Sequence, residues 1–112
     1  QIAARSGAQE ETDQKAETEF KESIRLNPSY ADAYYQIARL NLKTHPALAE
    51  QNLVECLKKD STHASAEYTL GRLYMKMGRS RQGRDLLTRF EHDKKMSKQM
   101  EEDTPAVKEV PE

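Results

Sequence analysis

Two residue types recur together in the middle of this chain at a fixed spacing. Tyr35 and Arg39 are four residues apart, and so are Tyr68 and Arg72. The second pair follows the first by 33 residues, as Met75 follows Leu42 and Lys76 follows Lys43. Positions i and i+4 share one face of a helix, so each pair sets an aromatic ring beside a guanidinium. Two stacked copies would make a ladder of both. Arg offers a planar fork of donors to a carboxylate, and Tyr adds rigid area and a hydroxyl. Both types concentrate at interface hot spots. Tyr35, Arg39, Lys43, Tyr68, Arg72 and Lys76 are therefore the candidate partner-binding residues, suited to a protein or peptide with acidic groups. The competing account has these Arg residues paired with Asp or Glu across helices and the Tyr rings packed between repeats.

Little else points to chemistry. His45, His63 and His92 are far apart in sequence and fall in turns or near a helix end. No Cys/His spacing suits a metal, and no Gly-rich phosphate loop is present. Cys56 falls at a small-residue packing position, where a buried inert thiol is expected. The Glu residues fall on polar helix faces. Met96 and Met100 form either a soft contact stripe or ordinary helix packing. These readings imply no enzyme, no catalytic residues, no cofactor and no metal.

The chain has 112 residues, of which 36% are hydrophobic and 33% charged, with a formal net charge of −1. A hydrophobic fraction that low suits a stack of small amphipathic units, each with a thin apolar seam. The charge balance argues against a bulk grip on nucleic acid or anionic membrane. Basic residues are densest at Arg72, Lys76, Arg79, Arg81, Arg84 and Arg89, opposed within that span by Asp85. The stretch reads as a solvated helix face or as a positive patch for an acidic partner. One cysteine excludes an intrachain disulfide and favours a reducing compartment such as the cytoplasm without deciding localisation. No apolar run is long enough to span a bilayer, and no signal peptide is visible.

The elements that must position the Tyr and Arg pairs come from an internal repeat. Ala16, Ala49 and Gly83 are 33 and 34 residues apart. Phe20, Leu53 and Leu87 follow four later in each copy, and Ser23, Cys56 and Phe90 three after that. Ile37-Ala38 recurs as Leu70-Gly71, with Tyr34 and Glu67 three residues before. Small residues recur where two helices must cross closely, Ala38 against Ala49 and Gly71 against Gly83. Larger apolar residues recur at helical spacing. Asn27-Pro28-Ser29, His45-Pro46, Asp60-Ser61-Thr62 and Gly78 punctuate the helices, with Ser29 and Ser80 as candidate N-caps. The pattern predicts helices over 10–26, 30–43, 46–59, 63–77 and 80–98.

This register resembles the tetratricopeptide-repeat (TPR) family, whose 34-residue pattern reads W-x2-L-G-x2-Y, then A-x3-F and a closing P. The third copy carries it as Leu70-Gly71-Arg72-Leu73-Tyr74, then Gly83 and Leu87. The second has Tyr34, Ile37-Ala38, Ala49 and Leu53; the first has Ala16, Phe20 and Pro28. Asn41 stands where the family usually has Tyr, and Glu67 where a large apolar residue is common. The resemblance covers residues 1–92 and implies an all-α fold, a right-handed superhelix of antiparallel helix hairpins. It divides the chain into a partial first repeat (1–28, the end of one helix plus a second), a second repeat (29–61), a third with an extended last helix (62–98) and a disordered charged tail (99–112). Residues 1–8 are expected as the tail of a helix whose start is absent, with further repeats upstream. Tyr34 and Tyr74 fall at packing positions of the family.

The resemblance also implies function. The first helix of each repeat lines the concave face, which places the six candidate residues there. The expected role is a protein-interaction scaffold that holds a peptide or partner in that groove. A structural module that self-associates through its open ends, near Phe20 and Ile24, is the alternative. Nucleic-acid binding through Arg72–Arg89 ranks below both. Some TPR modules hold the C-terminal tail of a chaperone with particular Lys and Asn residues. The Asn is missing from this face, so that ligand is not expected.

Overall fold

A computed structural model describes residues 7–102. Five helices occupy nearly all of it: α1 (Gly7–Leu26), α2 (Ala31–Asn41), α3 (Pro46–Lys59), α4 (Ala64–Lys76) and α5 (Ser80–Glu102). No strand is present among the described residues. The fold is all-α, as expected. Each helix packs on its neighbours in sequence, most extensively α2 on α3 and α4 on α5. The extents are 55 × 36 × 29 Å.

The breaks have local causes. Pro28 follows α1, and Asn27 Oδ1 accepts from Ser29 N at 3.3 Å and Ser29 Oγ at 3.0 Å. The Ser29 hydroxyl is thus turned back on Asn27, and the N-cap of α2 is Tyr30, whose side chain makes no capping bond. The expected Ser29 cap is corrected accordingly. Pro46 starts α3, where its missing N–H leaves no bond unmade. After α3, Asp60 Oδ1 accepts from Thr62 N at 3.0 Å and Thr62 Oγ1 at 2.8 Å. Those bonds hold the Asp60 carboxyl below its ordinary value. Gly78 has φ +80°. Arg79 N donates to Tyr74 O at 2.8 Å and Gly78 N to Met75 O at 3.2 Å, the paired bonds by which a left-handed residue closes a helix.

Helix α3 has the expected bounds, α2 and α4 are shorter than expected by one or two residues at their ends, and the larger differences lie at the start of α1 and the end of α5. Of residues 1–8, expected as the tail of an earlier helix, Gly7 and Ala8 belong to α1 and the rest lie outside the described residues. Helix α5 runs through 99–102, within the segment expected to be disordered, and residues 103–112 lie outside the described residues. The charged side chains beyond Phe90 favour continuation in water, because they are good helix formers.

The core is a thin seam of small and aliphatic residues: Ala38, Ala49, Leu53, Cys56, Ala66, Leu70, Leu73 and Tyr74. Ala38 and Ala49 share this cluster, as the repeat requires. Helix α1 buries no residue fully; Phe20 and Ile24 are half-buried. Its long exposed surface carries i,i+3 and i,i+4 ion pairs such as Arg25–Glu22 and Lys21–Glu17.

Candidate functional site

The repeat carries the two Tyr–Arg pairs to corresponding places on α2 and α4, but their contacts differ. On α4, Arg72 Nη1 donates to the Tyr68 hydroxyl at 2.8 Å. The Tyr68 ring also lies 5.3 Å from that of Phe90 on α5. On α2, Arg39 Nη1 donates to Gln36 Oε1 at 3.0 Å. Tyr35 packs its ring against His63, with centroids 5.0 Å apart. Sequence repetition therefore produces one Tyr–Arg pair in contact and one whose members have other partners.

Four of the six candidate residues line one groove. Lys43, Tyr68, Arg72 and Lys76 surround it with Leu42, Thr69 and Leu73, enclosing about 290 Å³. Leu42 and Leu73 are its aliphatic lining residues, and Lys43, Arg72 and Lys76 are its cations. Lys43, Arg72 and Lys76 are exposed. None of these lining residues is acidic. Tyr35 and Arg39 are not among them.

Tyr35 and Arg39 instead border a polar chain that links α2 to α4. Gln36 Nε2 donates to Asp32 Oδ2 at 3.3 Å, and His63 Nε2 lies 2.9 Å from Asp32 Oδ1. His63 Nδ1 accepts from Ala66 N at 3.1 Å. Because Nδ1 is an acceptor, Nε2 carries the proton and donates it to Asp32. His63 is thus at once the N-cap of α4 and a tie to α2. Its sequence signal was a turn position just before a helix, which does not reveal a partner 31 residues away.

The basic stretch Arg72–Arg89 is divided by the fold. Arg79 Nη1 pairs with Glu50 Oε2 at 2.9 Å, and its guanidinium lies 4.3 Å from the Tyr74 ring centroid. Arg89 Nε lies 3.2 Å from Glu67 Oε2. Arg72 faces the groove. Burial and the Glu50 carboxylate raise the Tyr74 hydroxyl above its ordinary value, and Arg79 opposes them. Glu67 corrects the expectation that the Glu residues sit on polar faces, since its side chain is completely buried. Its place three residues before Leu70-Gly71, on the core side of α4, was the available signal.

Cys56 is fully buried, and burial, with Asp32 and Asp60 nearby, pushes its thiol up to about 12. Asn41 is buried and donates Nδ2 to Ile37 O at 2.8 Å, closing on its own helix. Met96 is exposed; the Met100 side chain lies outside the described residues. Among the described residues, no group of His, Cys, Asp and Glu could hold a metal ion. Among the same residues, no helix is long and apolar enough to cross a membrane. The chain matches no model of a known protein family and no curated protein.

Proposed function

We propose that this chain is a protein-interaction module of the TPR kind, binding an acidic peptide segment in the groove between α2 and α4. The observation that carries the reading is that Lys43, Arg72 and Lys76 line one groove together with Leu42 and Leu73. A carboxylate at that position meets three donors, one of them a planar fork. A neighbouring apolar side chain meets the two leucines. The Tyr68 hydroxyl holds Arg72 at 2.8 Å, which reduces the freedom lost on binding. The register of small residues at each helix crossing supports a stack of antiparallel hairpins, in which α2 and α4 line the inner side. Tyr35 and Arg39 form the flank of this surface and contribute less.

The test is selection of binders from a random-sequence peptide library with the purified chain. Peptides enriched in Asp or Glu beside a large apolar residue are expected, with affinity falling as salt is raised. Arg72→Glu with Lys76→Glu should abolish that enrichment and leave the helical circular-dichroism signal intact. Arg39→Glu should weaken binding by a smaller factor. A selected pool with no acidic bias, or equal capture by the double variant, would rule the groove out.

A further inference from the structure

Corresponding positions in the two stacked units carry different side chains around one packing slot. In the first unit the slot holds Tyr34 on α2, with Glu55 and Lys59 on α3. Lys59 Nζ lies 5.7 Å from the Tyr34 ring centroid and 3.7 Å from Glu55 Oε1. The equivalents one repeat on are Glu67, Arg89 and Asp93. Every charge is exchanged, and a carboxyl replaces the phenol ring.

The exchange puts a carboxyl where the fold excludes water. Glu67 is completely buried, and neither of its oxygens receives an aligned hydrogen bond. Arg89 faces it from α5 at 3.2 Å, held by a second bond from Nη2 to Ser61 O at 3.3 Å. Arg89 is about half exposed, so water weakens its pull. Asp93, one turn further along α5, and Asp60, at the end of α3, add negative charge around the Glu67 carboxyl. Two carboxyls and a third acid thus face the Arg89 guanidinium, with the exposed His92 imidazole 3.7 Å from Asp93 Oδ1 on the solvent side.

We propose that Glu67, Asp93 and Arg89 form a proton-operated clasp that fixes α5 to α4. With one proton between the two carboxyls, Glu67 gains a hydrogen-bond partner and Arg89 balances the remaining charge. With both ionised, the pair repels inside a slot that one partly solvated cation does not neutralise, and α5 loosens around Arg89–Asp93. Burial, then Asp93, raise Glu67 above its ordinary value, with Arg89 opposing them. A carboxyl raised in this way stabilises the fold fully below its ordinary value. That contribution is lost as pH rises through the raised value.

The experiment compares the full chain with Glu67→Gln and Asp93→Asn, following thermal midpoints and α5 amide protection factors from about pH 4, below the ordinary Glu value, to about pH 8. The wild-type midpoint should fall relative to that of Glu67→Gln as pH rises. Protection at Arg89–Asp93 should fall in parallel, by up to about tenfold for each unit by which Glu67 is displaced. Glu67→Gln should be the more stable protein at the alkaline end. Asp93→Asn, at a half-exposed position, should flatten the profile without removing the Arg89 pair. Groups outside the cluster are common to wild type and Glu67→Gln and cancel in that difference; because Asp93 also meets His92 Nδ1 at 3.7 Å, the Asp93→Asn comparison is made in a His92→Gln background. Parallel profiles for wild type and Glu67→Gln would overturn the clasp. So would a Glu67→Gln protein less stable by the same amount at every pH. If Glu67→Gln does not fold, a slope unchanged by Asp93→Asn in the His92→Gln background overturns it as well.

Discussion

Gly83 and Gly71 bring the backbones of α5 and α4 into direct apposition: a Cβ on Gly83 would stand 2.8 Å from the Gly71 carbonyl oxygen. It would also stand 2.7 Å from Met75 Sδ. The Met75 side chain can move, but the carbonyl cannot without shifting the helix. In the preceding unit Ala38 and Ala49 occupy the corresponding crossing.

Gly83→Ala should therefore destabilise the protein, although Ala is the better helix former. The propensity gain is about 1 kcal/mol, and overpacking costs about 1–3 kcal/mol. A lower urea midpoint at unchanged slope is expected, with a net loss of about 1 kcal/mol. Ala49→Gly removes a fully buried methyl group and also loses helix propensity. A stabilised Gly83→Ala protein would show that α4 and α5 separate freely.

His63→Ala removes the α4 cap and the tie to Asp32 together. A loss of about 1–3 kcal/mol is expected. Asp32→Asn keeps an acceptor for Nε2–H and should cost less. A double variant whose loss equals the sum of the two singles would show that the 2.9 Å contact carries no coupling.

Arg79→Lys should be nearly as damaging as Arg79→Ala. The guanidinium both pairs with Glu50 and lies over the Tyr74 ring, and an ammonium lacks the planar fork. A loss of about 1–2 kcal/mol for either variant is expected by denaturant titration. Full rescue by Lys would reduce the contact to simple charge.

Cys56 should resist alkylation until the chain unfolds. Its thiol is inaccessible and raised from an ordinary 9.0 to about 12. In the folded protein the thiol holds its proton more tightly than in the unfolded chain. Stability should therefore fall as pH rises from about 9 towards about 12, and Cys56→Ala should lack that component. The modification rate should follow the unfolding equilibrium across a urea series.

Helix number, order and approximate bounds were readable because small residues, apolar spacing and Pro or Gly breaks agree at each junction. Gly78 shows this well: one residue at φ +80° and two backbone bonds finish α4 where the pattern ends. The groove was readable in part. Spacing places Lys43, Tyr68, Arg72 and Lys76 on corresponding helix faces, but does not show that Arg39 turns to Gln36 or that Tyr35 packs on His63. Those choices depend on Asp32, which holds Gln36 from within α2, and on His63 and Phe90, which reach the pairs from other elements. Glu67 was visible as an exception to the repeat, whereas its surroundings depend on α5 running past Phe90. The Ser29 cap failed for a local reason, because Asn27 competed for the same hydroxyl.

The tie between His63 and Asp32 has a consequence for cooperativity. Helices that pack chiefly on their sequence neighbours can open from an end, one unit at a time. Helix α1, with no fully buried residue, has the least to lose. Opening beyond it must break an imidazole bridge that also holds the first turn of α4. The melting of α2 and α3 is thereby felt at the start of α4, and two neighbouring helix pairs acquire a shared transition.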